Sequence, residues 1–345
     1  MQWSARQKKT LAVALKLLIL VVVVWGVHGS IRTALEELSR QRETGEITIR
    51  PPWLVLAGAF YLLGLLPCAF FWRQVLRDLG QQPQTASLLR AYYVGHLGKY
   101  VPGKAMVVVL RTGMLRGRGI SVAVAAATVF YETLVMMAVG ALLAAAILLA
   151  GYRQQWFFLL LALGLAGAAG LPTAPPLFRR FARFFGVGRN DPHVAQRLEQ
   201  LGYGTWLVGS LGIAAGWVML GISQWAILKA IDTPGIHLVT DLPLFTAAVS
   251  LAMVAGFVSL IPGGAFIREA VLLQLLGSHI GEDHALLSAV LLRLVWLVAE
   301  LFISGILYLT PGGQRNSGGQ RNSGGQQNSV GPDQDPAPET VEQAP

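Results

Sequence analysis

Gly95-His96-Leu97-Gly98-Lys99-Tyr100-Val101-Pro102-Gly103-Lys104 and Leu260-Ile261-Pro262-Gly263-Gly264-Ala265-Phe266-Ile267-Arg268-Glu269 are the two stretches whose reading decides the fold. Each places a proline-glycine elbow inside an apolar region. Proline lacks an amide hydrogen and fixes its backbone angle, so it interrupts one helix and suits the start of the next. At membrane depth such a break survives only where protein or a water-filled cavity satisfies the freed backbone groups. Paired interruptions in the two halves of a membrane chain point to a transport site between them. A helical pattern carrying an arginine follows each elbow, Arg111 after the first and Arg268 after the second.

The composition requires a membrane. Hydrophobic residues make up 54% of the 345 and charged residues 13%, with a mean hydropathy of +0.54. A water-soluble domain of this length does not carry that balance. The single cysteine, Cys68, excludes an intrachain disulfide and a cysteine-based metal cluster. The six histidines have no metal-ligand spacing, and no cofactor is expected. The formal charge of +9 is read as basic cytoplasmic loops that orient the chain. It is not read as a nucleic-acid surface, because the basic residues are not grouped with exposed aromatics.

A bilayer core takes about 20 apolar residues as helix. Six full spans are predicted at 10–28, 53–72, 121–150, 154–171, 205–230 and 285–309, with broken apolar regions at 86–116 and 243–277. The first span follows Arg6, Lys8 and Lys9 and is read as a retained anchor. It is long for a secretory signal, and Gly26-Val27-His28-Gly29 is a poor cleavage site. Basic residues gather at the N-terminus, at Arg73, Arg77 and Arg90, at Arg116 and Arg118, and at Arg179, Arg180, Arg183, Arg189 and Arg197. The positive-inside rule assigns all four groups to the cytoplasm. That assignment is consistent if the first broken region enters and leaves from the cytoplasm and the second from the other side.

The expected fold is therefore an all-α polytopic membrane protein. About six full spans and two re-entrant helical hairpins form an inverted repeat, repeat one at 53–150 and repeat two at 205–309. The alternative is that 243–261 crosses the membrane and 262–277 lies at its surface. The transmembrane domain occupies 1–310, with both termini cytoplasmic. The remainder, 311–345, repeats Gly-Gly-Gln-Arg-Asn-Ser and becomes proline-rich and acidic, a composition expected to be disordered. Phe178, Phe181 and Phe185 recur against Arg179, Arg180 and Arg183. They suggest a short helix on the cytoplasmic leaflet with its phenylalanines in the acyl boundary, or else a lid over the bundle.

Charged side chains at bilayer depth cost about 2.5–3.5 kcal/mol each on insertion scales. The embedded set is balanced: Arg111, Arg268 and Arg293 against Glu132, Glu269 and Glu300. Arg293 and Glu300 share a helix face but lie about 10 Å apart in rise, so pairing across helices is expected. The set is either an ion-pair network that fixes packing or the lining of a hydrated cavity. Both elbows aim a helix start, with its free amides and positive dipole end, at mid-membrane. With Lys99, Tyr100, Pro102, Gly103, Lys104 and Arg111 on one side and Pro262, Gly263, Gly264 and Arg268 on the other, the predicted ligand is an anion. In a bilayer that is a lipid phosphate. Glu132, Glu269, Arg293 and Glu300 are candidates for ion pairing or proton coupling.

The run from Gly95 to Lys104, with Arg111, Gly119-Ile120-Ser121 and Glu132, resembles the transmembrane region of lysylphosphatidylglycerol synthases and related flippase-like membrane proteins. The stretch Ile261 to Glu269 is similar to that family's Pro-Gly-Gly element ending in Arg-Glu, although relatives more often have glycine where Phe266 stands. The resemblance covers about residues 10–310. It implies a lipid-flipping domain of the bacterial inner membrane. It does not imply aminoacyl transfer, because the stretch after Leu309 predicts no soluble transferase domain. Relatives that accompany glycosyltransferases or hopanoid synthesis imply an anionic phospholipid, a polyprenyl-phosphate or a glycolipid as substrate. The alternative is a non-transporting scaffold that presents lipid to a glycosyltransferase or other envelope enzyme. No catalytic motif and no phosphate-binding loop is present, so neither an enzyme nor an ATP-driven pump is expected.

Overall fold

The structure, a computed structural model, describes residue 32 and residues 49–100, 105–116, 119–189, 191–259, 264 and 266–309. The predicted first span at 10–28 and the tail at 311–345 lie outside the described residues. From residue 49 on, the described residues form eleven α-helices in order: α1 Pro51–Asp78, α2 Thr85–His96, α3 Ala105–Leu115, α4 Val122–Gly151, α5 Trp156–Gly170, α6 Pro175–Phe184, α7 Pro192–Gln200, α8 Tyr203–Ala230, α9 Leu238–Val258, α10 Ile267–Ile280 and α11 Glu282–Leu309. A 3-10 turn, Leu97–Tyr100, extends α2, and another, Leu171–Thr173, extends α5. No strand occurs among the described residues.

Among the described residues, six helical segments are long and apolar enough to cross a bilayer: α1, α4, α5 with its 3-10 turn, α8, α9 and α11. Five coincide with predicted spans. The sixth, α9, begins before the predicted broken region and has 21 residues, about 31 Å of rise. A helix of full crossing length therefore runs into the second broken region and is followed there by the shorter α10.

Local chemistry sets the helix ends. Pro51 and Pro52 open α1, where a missing amide hydrogen is harmless. Gly80 closes it at φ +80°, with its amide and that of Gln81 bonded back to Arg77 and Leu76. The Asp191 carboxylate accepts the first free amides of α7, from His193 and Val194.

The central contact joins α1 and α8. The two backbones meet at Gly64 and Gly216. A Cβ on Gly216 would stand 2.5 Å from the Gly64 carbonyl oxygen, so neither position admits a side chain. Close approach through small residues is how helices associate in lipid, where dispersion replaces the hydrophobic effect. Around this pair, α4 packs on α9, and α11 packs on α2.

The helices α2 and α3 form one antiparallel pair, and α9 and α10 another. The ends of each pair are held together. The Ser121 amide donates to Gln81 Oε1 at 2.9 Å, bridging the residues before α2 and after α3. His279 Nε2 lies 3.4 Å from Asp241 Oδ1, joining the end of α10 to the start of α9.

In α6, Phe178 is buried and stacks on Tyr131 at 3.8 Å between centroids, while Phe181 stacks on Phe130 at 5.0 Å. This corrects the expectation that Phe178 faces the acyl boundary: it anchors the helix to α4. Phe184 and Phe185 are the exposed rings.

Candidate functional site

Among the described residues, three ion-pair clusters lie between the helices. In the first, Arg111 of α3 donates to Glu132 of α4 at 2.7 Å, with side chains 2% and 1% exposed. Tyr92 donates to the other carboxylate oxygen at 3.1 Å. The guanidinium lies 4.0 Å from the Tyr92 ring centroid and 5.4 Å from that of Trp72, a cation–π arrangement. Gly95 makes the fit possible, since a Cβ there would stand 2.4 Å from Arg111 Cγ. Arg111 Nε is also buried with no hydrogen-bond partner among the described residues, but Arg111 is not among the residues that line the cavity described below.

The second cluster joins the halves of the chain. Lys99, in the turn after α2, pairs with Glu300 of α11. The Tyr61 hydroxyl of α1 donates to the same carboxylate oxygen. Lys99 Nζ donates to the Tyr61 oxygen at 3.1 Å and lies 5.1 Å from the Tyr100 ring centroid. His96 Nε2 is 3.7 Å from Glu300 Oε1, and its Nδ1 is 3.4 Å from Arg111. His96 thus touches the first cluster and the second. Tyr61 stacks on Trp296 at 4.3 Å, and the Trp296 indole donates to Ser223 at 2.9 Å.

The third cluster is half-open. Arg293 of α11 donates to Glu269 of α10 at 2.7 Å, each side chain being 18% exposed. It mirrors the first cluster with reversed polarity: there the helix after the elbow supplies the cation, here it supplies the carboxylate. Beside it lies Arg268, whose Nε is buried with no hydrogen-bond partner among the described residues. Gly256 and Gly264 leave room for this side chain. A Cβ on Gly256 would stand 2.7 Å from Arg268 Cγ, and one on Gly264 would stand 2.8 Å from Nε.

A cavity of about 30 Å³ opens between the second and third clusters. Lys99, Tyr100, Arg268, Glu269 and Arg293 supply its polar wall, and Met253, Leu272, Leu292 and Trp296 are among its apolar lining. A water centre needs about 10–15 Å³ by this measure, so the cavity holds two or three waters. Three cations against one carboxylate, on a partly apolar wall, suit an anion carried on an apolar body.

The structure thus brings Lys99, Tyr100, Arg268, Glu269 and Arg293 to one cavity, and Glu300 directly behind Lys99. It places Arg111 and Glu132 apart from it. Gly264 lies under Arg268. Pro102, Gly103, Lys104, Pro262 and Gly263 lie outside the described residues. Sequence reasoning passed over Tyr61, His96 and Trp296. His96 had a signal, since it lies three positions before Lys99 inside the elbow motif. Tyr61 and Trp296 had none, being aromatics within ordinary apolar helices. Among the described residues, no three histidine, cysteine or carboxylate side chains are grouped as for a metal.

A bundle of long apolar helices with arginine and glutamate pairs sealed inside it defines a multi-pass integral membrane protein. Residues 12–304 match the lysylphosphatidylglycerol synthase TM region family, and the chain belongs to that family. The family is the transmembrane, non-catalytic part of those synthases, and its members are membrane proteins of lipid handling. No curated protein matches the chain.

Proposed function

We propose that this protein captures the phosphate of an anionic lipid in the cavity between Lys99 and Arg268 and passes the lipid between leaflets of the bacterial inner membrane. The observation that carries this reading is Arg268. Its guanidinium is held against two glycines beside a cavity, and its Nε has no hydrogen-bond partner among the described residues. An unsatisfied buried donor on a cation is unfavourable by itself. A phosphate oxygen satisfies donor and charge together. The substrate class is a phospholipid, a polyprenyl-phosphate or a phosphate-linked glycolipid, since all present the same group.

The re-entrant reading of 86–116 and 243–277 has support in the joined ends of each helix pair. The inverted repeat has support in the exchange of contacts: α1 meets its counterpart α8, while α4 packs on α9 as α11 packs on α2. In this reading both termini are cytoplasmic, as is the arginine-rich segment of α6 and α7.

The test is reconstitution in phosphatidylcholine vesicles containing a fluorescent, headgroup-intact phosphatidylglycerol, with an impermeant quencher added outside. Translocation brings quenching above the half expected for the outer leaflet, and Arg268→Gln removes the excess. A second reading, a scaffold that presents lipid to a glycosyltransferase or other envelope enzyme, draws on the small size of the cavity. It predicts lipid binding with no leaflet exchange until such a partner is added.

A further inference from the structure

Of the three embedded glutamates, only Glu300 is fully buried behind a cation that itself lines the cavity. Glu132 is sealed by Arg111 and Tyr92, and Glu269 lies on the cavity beside its partner Arg293. Glu300 is fully buried behind Lys99. Its Oε1 receives Lys99 and Tyr61, while its Oε2 is buried with no partner among the described residues.

We propose that Glu300 is the proton carrier of this protein, taking up one proton on its carboxylate for each anion that Lys99 helps to bind. This rests on the anion-binding reading of the cavity. An anion lodged against Arg268 attracts Lys99, which already faces the cavity. As the ammonium turns to the anion, Glu300 loses its counter-charge in a site without water exposure. A buried carboxylate stripped of its partner is strongly unfavourable. A proton delivered by hydronium from the cavity water bonds to the carboxylate, leaving water and a neutral carboxylic acid. When the anion leaves, Lys99 returns and the proton is released.

The neighbours fit this role. The groups facing Glu300 are Tyr61 from α1, His96 from α2, and Lys99 and Tyr100 from the turn, with the charge of Arg268 on α10 close by. Its own helix adds Arg293, two turns away and engaged with Glu269. His96 is a poor alternative carrier. Its Nδ1 faces the Arg111 guanidinium, so that nitrogen serves as an acceptor, and its proton belongs on Nε2 toward Glu300. Tyr61 keeps one hydrogen bond on Oε1 in both states.

The experiment is calorimetric titration of short-chain phosphatidylglycerol into the full chain in phosphatidylcholine nanodiscs, repeated in buffers of different ionisation enthalpy. Wild-type protein should take up about one proton per lipid, and its affinity should fall about tenfold per pH unit where that uptake occurs. Glu300→Gln should bind with no uptake and no pH dependence, whereas His96→Gln should keep both. Infrared difference spectra of wild-type protein need no variant, and addition of an ether-linked phosphatidylglycerol, which has no ester carbonyl, should bring up the carbonyl band of a protonated carboxylic acid that shifts in heavy water. Binding with neither proton uptake nor that band overturns the proposal and leaves the anion site standing. Uptake that survives Glu300→Gln also overturns it. No binding at any pH overturns the anion-site reading itself, and this inference with it.

Discussion

Lys99 and Glu300, 201 positions apart, form one ion pair that ties the turn of the first helix pair to the last helix. The carboxylate is wholly buried, and the ammonium divides its surroundings between Glu300, Tyr61 and the cavity. Such a pair couples its two residues energetically. Lys99→Gln and Glu300→Gln should each lower thermal stability, and the double variant should lose less than the sum by at least about 1 kcal/mol. Additive losses in a double-mutant cycle would show that the pair is not formed in the membrane.

Arg111 and Arg268 both follow an elbow, yet their surroundings separate their roles. Arg111 is sealed against Glu132 and two aromatic rings. Arg111→Gln should therefore destabilise the fold by about 3–5 kcal/mol, the usual effect of orphaning one member of a buried pair. Arg268→Gln removes no ion pair seen among the described residues. It should leave the melting temperature nearly unchanged while weakening phosphatidylglycerol binding about tenfold or more, as loss of one charge-assisted hydrogen bond does. Melting curves and lipid titrations on both variants check this, and equal effects on the two measurements would remove the distinction.

Gly64 and Gly216 set the crossing of α1 and α8. Gly64→Leu forces at least one backbone away, because even a Cβ would lie 2.9 Å from the Gly216 carbonyl oxygen. Overpacking of this kind costs about 1–3 kcal/mol or more. Gly113→Leu, at a site with open space around its Cβ position, should be tolerated. The yield of monodisperse protein in detergent reports the difference.

Phe266 occupies φ +65°, the left-handed region where side chains are strained. Its ring is 76% exposed, so little packing is lost with it. Phe266→Gly should raise stability by about 0.5–1 kcal/mol through relief of that strain. An unchanged or lower melting temperature would mean that the ring contributes more than the backbone loses.

The contact between His279 and Asp241 places the start of α9 beside the end of α10. Thr240→Cys and Ser278→Cys, each exposed and each in a Cys68→Ala background, should react with an impermeant thiol reagent from the same side of the membrane. Labelling from opposite sides would mean that the pair traverses the bilayer once, and the mirrored arrangement of the halves would fail.

The long spans were legible in the sequence because lipid imposes a one-dimensional rule. A run of about 20 apolar residues must become helix, whatever surrounds it. That rule located α1, α4, α5, α8 and α11 within a few residues. It located α9 less well: the predicted broken region begins at 243, whereas the helix begins at Leu238 and carries Pro243 inside it, a residue that on its own argues against a continuous helix. The buried charges were also legible, since an embedded arginine or glutamate is conspicuous against apolar neighbours.

The sequence by itself determined that this chain lives in a membrane, where its long helices fall, and which ionic side chains must find partners there. Only the tertiary structure decided who pairs with whom. Arg111 joins Glu132, Lys99 joins Glu300 across the halves, Glu269 joins Arg293, and Arg268 is left on a cavity wall. The physical reason is range. Insertion into lipid depends on the local sum of side-chain transfer energies, which a linear reading can add up. Ion pairing depends on a few ångströms of approach between residues up to 201 positions apart, and that approach is set by glycine contacts such as Gly64 with Gly216 and Gly256 with Arg268.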